Sequence, residues 1–172
     1  MKMQYGLDCL AYRMHIPRWA YAPTSGAGAA DHGGRLNRPG LPALYLALDA
    51  TTALEEYRQL SALMPPGLMV SYEIKISSVV DFSGGYTQAW DALWQELTCD
   101  WRRLWFNEHV EPPSWLLADV ALESGATGIL FPSMANTEGT NLVLYTDAMG
   151  ESDRLGAYDP AGDLPRNQRS WE

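Results

Sequence analysis

Arginine is the residue type through which this chain first points to chemistry. Ten arginines stand against two lysines, Lys2 and Lys75, while acids outnumber bases by 21 to 12 and the formal charge is −9. Arg suits planar, bidentate contacts to carboxylate or phosphate better than Lys does, so the few cations of this acidic chain are of the kind that grips an anion. Nucleic acid and anionic membrane surfaces are disfavoured as that anion, because a charge of −9 repels a phosphate backbone or an acidic headgroup layer. Other chemical motifs fail one by one. Gly26-Ala27-Gly28-Ala29-Ala30-Asp31 starts like a dinucleotide fingerprint, yet no strand runs into it and Asp31 occupies the third glycine position. No Gly-x-x-x-x-Gly-Lys phosphate loop and no Gly-x-Ser-x-Gly elbow occur. His15, His32 and His109 lie far apart, and with Cys9 and Cys99 they form no zinc-like cluster, so no metal is expected. What remains is a dispersed set: Tyr12-Arg13, Gly33-Gly34-Arg35-Leu36-Asn37, Tyr45, Ala53-Leu54-Glu55-Glu56, Pro132-Ser133 and Asn141.

The elements that must position this set can be read coarsely. Leu7 to Met14 is a short strand ending in Tyr12-Arg13, followed by a long Gly-, Ala- and Pro-rich irregular segment from Pro17 to Pro42. Residues 43–48, ALYLAL, form a buried strand. Asp49 or Thr52 then caps a helix running to about Met64, where Pro65-Pro66-Gly67 stops it, and Thr52 with Glu55 fits a capping box. Residues 68–76 alternate as a half-buried strand. From Trp90 to Trp105 the apolar spacing is helical and predicts one or two helices whose tryptophans pack into the core. Ser114 caps a further helix, WLLADVALES, and Gly125 closes it. TGILFPS and NLVLY are two more strands. Beyond about Asp147 the chain is polar and is expected to lie extended on the surface or to be partly disordered. Strands and helices without regular alternation indicate an α+β class. With 172 residues, 47% of them hydrophobic, the chain suits one domain. The expected division is a catalytic domain over 1–148 and a polar tail over 149–172. Two cysteines without a disulfide framework, no signal peptide and no apolar run of membrane-spanning length lead to a cytoplasmic expectation.

Taken in order, the dispersed set resembles the RES family, named for Arg, Glu and Ser. An early Tyr-Arg, a Gly-Gly-Arg-x-Asn loop, a Tyr-Leu-Ala strand, an Ala-Leu-x-Glu helix and a late Pro-Ser before an Asn-bearing strand recur over about residues 10–146, with Leu36 where an aromatic is common. The resemblance implies a toxin of a bacterial toxin–antitoxin pair, a fold similar to ADP-ribosyltransferases, and cleavage of the nicotinamide–ribose bond of NAD⁺. NAD⁺ is then a substrate, and the acceptor is water, phosphate or a protein side chain. It also implies an antitoxin partner whose helix-turn-helix part carries any DNA contact.

The chemistry accounts for those residue types. Breaking the N-glycosidic bond of NAD⁺ builds cationic character on the ribose, as in glycosidases. Nicotinamide leaves as a neutral molecule from a cationic nitrogen, so it needs no proton, and one carboxylate suffices. The resemblance puts Glu56 in that role, with Glu55 as the capping residue. Arg35 joins it as a candidate catalytic residue beside the diphosphate, and Arg13 binds the same anion. Ser133, the third candidate catalytic residue, orients the amide or a phosphate oxygen; the sequence sets no base beside it that would make it a nucleophile. Tyr45 stacks on nicotinamide or bonds the ribose, and Asn141, Tyr12 and Asn37 complete the NAD⁺-binding candidates, with His32 as an outside one. The rival from another class is a non-enzymatic module that docks a partner on the tryptophan-rich helices.

Overall fold

The structure, a computed structural model, describes residues 1–59 and 61–171. Six strands carry it: β1 (Met3–His15), β2 (Ala43–Ala47), β3 (Leu68–Asp81), β4 (Gly128–Pro132), β5 (Thr140–Tyr145) and β6 (Arg154–Ala157). They form one sheet in the order β1-β2-β5-β4-β3-β6. β1 also pairs antiparallel with β3 from Met3↔Val80 to His15↔Leu68, so the sheet curls back on itself. The seam between β1 and β2 is a single pair, Tyr12↔Ala47, and there the curl is least closed.

The central strands β4 and β5 are buried on both faces, and their alternation sorts side chains between two cores. Leu130, Leu142 and Leu144 meet Leu44, Leu46 and Tyr72 inside the curl. Ile129, Phe131 and Val143 point the other way, against Leu117, Ala118 and Ala121 of helix α3 (Trp115–Glu123). Each of these fully buried aliphatic side chains contributes about 1.5–3 kcal/mol. β3 alternates cleanly through Val70, Tyr72, Ile74 and Ile76, then turns apolar on both faces at Val79-Val80, where β4 joins it in parallel. Gly125, at φ +80°, ends α3 in the left-handed conformation that glycine adopts without cost.

The α+β class and the strands at 43–48, 127–133 and 141–145 agree with the sequence reading; β1 and β3 run longer than expected. Several expectations need correction. The segment 17–42 is not wholly irregular, since it holds a 3-10 turn at Pro17–Trp19 and a short helix α1 (Ala27–His32). Helix α2 (Ala50–Arg58) stops well before Met64, because Gln59 takes φ +52° and leaves the helix; residue 60 of the expected stretch lies outside the described residues. Its cap is Asp49, whose carboxylate accepts from the Thr52 amide and hydroxyl at 2.8 and 2.6 Å. No Thr52–Glu55 capping box forms, and Glu55 pairs with Arg58 instead. Ser114 sits at the start of α3 but donates its hydroxyl to the Arg35 carbonyl at 2.6 Å and caps nothing.

A further correction concerns the tryptophan segment. It forms a 3-10 helix at Ala92–Thr98 and one wide π turn at Arg103–Asn107, with extended backbone at Cys99 between them. An α-helix would give the Leu97 carbonyl to the Trp101 amide. Here Arg35 takes the carbonyls of Leu97 and Cys99, and the Trp101 amide turns to Cys99. The packing role of the tryptophans holds: Trp94 and Trp101 are buried, and Trp90, Trp94 and Phe82 pack ring to ring at 4.7–4.9 Å. The expected polar tail also joins the fold, since β6 pairs with Tyr72 to Lys75 of β3; residue 172 lies outside the described residues. Among the described residues no helix is long and apolar enough to cross a membrane.

Candidate active site

Glu56 lies on α2, one helical turn after Thr52. Its Oε1 accepts two hydrogen bonds, from the Ser133 hydroxyl at 2.7 Å and from Asn141 Nδ2 at 2.5 Å. Both donors come from the sheet: Asn141 lies on β5 between Ala47 and Phe131, and Ser133 follows β4 directly. The Ser133 oxygen accepts from the amides of Ala135 and Asn136 at 3.1 and 3.0 Å, which forces its proton toward Glu56. The same turn is tied to α2 again through Asn136 Nδ2 and Thr52 Oγ1, 2.8 Å apart. One carboxylate oxygen is therefore held from two directions, while Oε2 has no partner among the described residues. Ser133 touches a carboxylate that could serve as a base, which the sequence did not reveal. Both lone pairs of its oxygen are already engaged, so the geometry makes it a positioning donor and not a nucleophile.

The second half of the site is built on Tyr45, at the middle of β2. Its hydroxyl donates to Asn37 Oδ1 at 2.7 Å and accepts from the Leu36 amide at 2.9 Å. Asn37 is wholly buried, and its Nδ2 reaches the carbonyls of Ala29, Leu41 and Arg38. Gly34 presses on this pair: a Cβ there would meet Asn37 Oδ1 and the Tyr45 hydroxyl at 2.5 Å each. The Gly34 carbonyl accepts from the indole of the buried Trp115 at 2.7 Å. Loop 33–37 is thus a rigid arch whose one half-buried cation is Arg35. This corrects two expectations. Asn37 is a staple inside the arch and has no donor left for a ligand. The Tyr45 hydroxyl is taken up in the same staple, so only the half-buried ring can face a substrate.

Arg35 Nη1 donates to the carbonyls of Leu97 and Cys99 at 2.8 and 3.1 Å. Arg13 Nη1 reaches the Tyr45 carbonyl at 3.4 Å across the β1–β2 seam. Tyr45 accordingly has Arg13 at its backbone carbonyl and the Arg35 arch at its hydroxyl, and both charges act on its phenol. No carboxylate among the described residues pairs with either. Burial lowers the pKa of both guanidiniums, and Glu56 is among the charges that pull Arg35 back up. Burial raises the Tyr45 phenol, against Arg35, Arg13 and Arg102 in that order. Tyr12 lies on the face of the sheet that also carries Ala47 and Asn141, so it shares their side of the seam. His32 is exposed in the last turn of α1 and takes no part in the arrangement.

Three participants escaped the sequence reading. Trp115 supports the arch from α3, where the sequence marks it only as the first residue of a helix. Arg102, beside the buried Trp101, adds a third charge acting on Tyr45; nothing in its neighbourhood in sequence marks it. His15, buried next to Arg13, bonds the Tyr72 hydroxyl through Nε2 at 2.6 Å. That hydroxyl donates its proton to the Pro23 carbonyl at 2.8 Å, so Nε2 must carry a proton. Among the described residues no group of His, Cys, Asp and Glu is arranged to hold a metal ion.

A family model described as the RES domain matches residues 10–167. The chain is also similar to a chain of the solved structure titled "Crystal structure of the M.tuberculosis MbcT-MbcA toxin-antitoxin complex", with a TM-score of 0.58 and 20% identity over 95% of this chain and 92% of that one. At that identity the likeness speaks for a shared fold. No curated protein matches the chain.

Proposed function

The chain belongs to the RES domain family, and on that premise we propose that it is the toxin of a bacterial toxin–antitoxin pair and cleaves the nicotinamide–ribose bond of NAD⁺. The observation that carries this reading is the single carboxylate of Glu56, fixed through Oε1 by Ser133 and Asn141 and within electrostatic reach of the unpaired Arg35. A held carboxylate needs no reorganisation when positive charge grows on a ribose, so it lowers the barrier where charge develops. Its second oxygen, Oε2, is the one to receive ribose hydroxyls. Cleavage sends the glycosidic electron pair onto the pyridinium nitrogen. Nicotinamide departs neutral, and the ribose cation passes to a nucleophile. That nucleophile is a protein side chain, phosphate or water; transfer and degradation diverge only at this step. Arg13 and Arg35 supply the guanidiniums for the diphosphate. The rings of Tyr45 and Tyr12 flank the seam as stacking surfaces.

The rival docking-module reading has less support, because Trp94 and Trp101 of that stripe are buried and Trp90 and Trp105 are half-buried. An antitoxin that covers this site would restrain the activity, and the solved neighbour is titled as a toxin–antitoxin complex. The reading places the protein in the cytoplasm with its NAD⁺ pool. The test is incubation of the purified chain with labelled NAD⁺, phosphate and cell lysate. Release of nicotinamide is expected, with a discrete labelled band marking transfer and its absence marking degradation. Glu56→Gln, which keeps a hydrogen-bonding side chain, should lower turnover by about 100-fold or more. A folded wild-type chain that consumes no NAD⁺, or an E56Q variant of undiminished rate, would refute the assignment.

A further inference from the structure

Arg102 extends the site beyond the residues named so far. It follows Trp101 just after the bend at Cys99, with helical backbone at the start of the π turn. Its guanidinium lies over the buried Trp101 ring, 4.6 Å from the centroid, so an otherwise mobile side chain has a fixed seat. The bend is anchored to the arch, because Arg35 holds the carbonyls of Leu97 and Cys99 just upstream. Arg102 lies three residues beyond Cys99, whose carbonyl Arg35 holds, so both side chains belong to one short stretch, and the Arg102 charge acts on Arg35 and on the Tyr45 phenol.

Two like charges set near each other repel, and a chain with 21 acids has ample means to place a carboxylate between them. It places one next door: Arg103 pairs with Glu108 at 3.1 Å. Neither Arg35 nor Arg102 has such a partner among the described residues. Unpaired arginines also occur elsewhere on the surface. Arg35 and Arg102 differ from those in being tied to one bend, in acting on one phenol, and in one of them being seated on an aromatic ring.

We infer that Arg102 and Arg35 together form a two-arginine cradle for phosphoryl oxygens, and that its occupant is the diphosphate of the dinucleotide. Arg35 contributes the donors not used on Leu97 and Cys99, and Arg102 closes the cradle from the solvent side. The inference rests on the NAD⁺ reading, and its test separates the two. Calorimetric titration with ADP-ribose uses a ligand that carries the diphosphate and lacks nicotinamide, so it is not consumed. Arg102→Gln should weaken ADP-ribose binding about tenfold, the loss of one charge-assisted contact at an exposed site. Arg102→Lys, which keeps the charge without the planar fork, should recover part of that loss. Raising the salt from about 0.01 to about 0.1 M shortens the screening length from about 30 to about 10 Å. It should weaken the wild type more than R102Q, a difference that a purely structural role for Arg102 would not produce.

Wild type that binds ADP-ribose, with R102Q binding it equally well at both salt concentrations, overturns the cradle and leaves the NAD⁺ reading standing. A folded wild type with no affinity for ADP-ribose overturns both. Inorganic phosphate provides the remaining arm: if R102Q loses phosphate binding but keeps ADP-ribose binding, the diphosphate assignment is wrong.

Discussion

Replacing Tyr45 by Phe distinguishes a staple from a substrate contact. The change removes one oxygen and nothing else. It strands two buried groups, the Leu36 amide and Asn37 Oδ1, whose bonds to that oxygen are 2.9 and 2.7 Å long. Leu36 and Asn37 are both 0% exposed, so water cannot take the place of the hydroxyl without the arch opening. An orphaned buried polar group costs about 1–3 kcal/mol, which for two groups with partial relaxation comes to about 3 kcal/mol. At about 2–4 °C per kcal/mol for a chain of this size, the melting temperature should fall by about 6–12 °C. Urea unfolding should show a lower midpoint with an unchanged slope, because the surface exposed on unfolding is the same. Tyr12→Phe is the control: the Tyr12 hydroxyl has no partner among the described residues, and its stability should stay within about 0.5 kcal/mol of wild type. If Y45F were as stable as wild type to within about 0.5 kcal/mol while its KM for NAD⁺ rose, the hydroxyl would be serving the ribose and the staple would be wrong.

Two further perturbations probe the supports of the site. His15 is held at a pKa of about 4, against 6.5, chiefly by burial and then by the Arg13 charge. Because the unfolded chain protonates first, the stability tied to His15 is complete above pH 6.5 and is lost as the pH falls toward 4. The loss reaches about 3 kcal/mol. Urea titrations between those pH values should show a shallower decline in His15→Gln, and parallel declines would refute the role of His15. Gly139→Ala would drive a Cβ into the Thr52 side chain, which holds both the Asp49 cap and the Asn136 staple. Overpacking there should cost about 1–3 kcal/mol, and because it shifts the start of α2 it should lower NAD⁺ turnover in the folded fraction as well. Wild-type turnover in folded G139A would show that the Thr52 end does not govern Glu56.

Much of the candidate set stood out in the sequence, because each member sits in a short local pattern. Ala-Leu-x-Glu placed Glu56 on a helix and Pro-Ser placed Ser133 at a strand end. The clamp that joins them was invisible, since Asn141 and Ser133 lie 85 and 77 residues from Glu56 and only the β4–β5 pairing brings them to it. Asn37 and Tyr45, both named as candidates from sequence, are bonded to each other inside the arch. A buried polar side chain and a ligand-binding one look alike in sequence, and they separate only when the partners of each donor and acceptor can be counted. The tryptophan segment shows the converse failure. Its apolar spacing is helical, but Arg35, from 62 residues upstream, takes the Leu97 carbonyl that an α-helix would have used.

Local chemistry written in the chain set its α+β class, its apolar strands, the Asp49 cap, the glycine end of α3 and the shortage of cations other than arginine. These follow from side-chain type, period and backbone freedom over a few residues, and they hold in any fold that buries the same faces. How the arginines are placed around Tyr45 was settled by long-range closure. Arg13 and Arg35 approach Tyr45 because β1 pairs with β3 along its length and touches β2 at one pair, leaving a seam that a guanidinium can cross. The stretch that carries Arg102 is drawn toward the arch because Arg35 holds the Leu97 and Cys99 carbonyls. Arginines without carboxylate partners are held around one tyrosine of an acidic protein by contacts between distant parts of the chain. That constraint belongs to the packed molecule, and no window of sequence contains it.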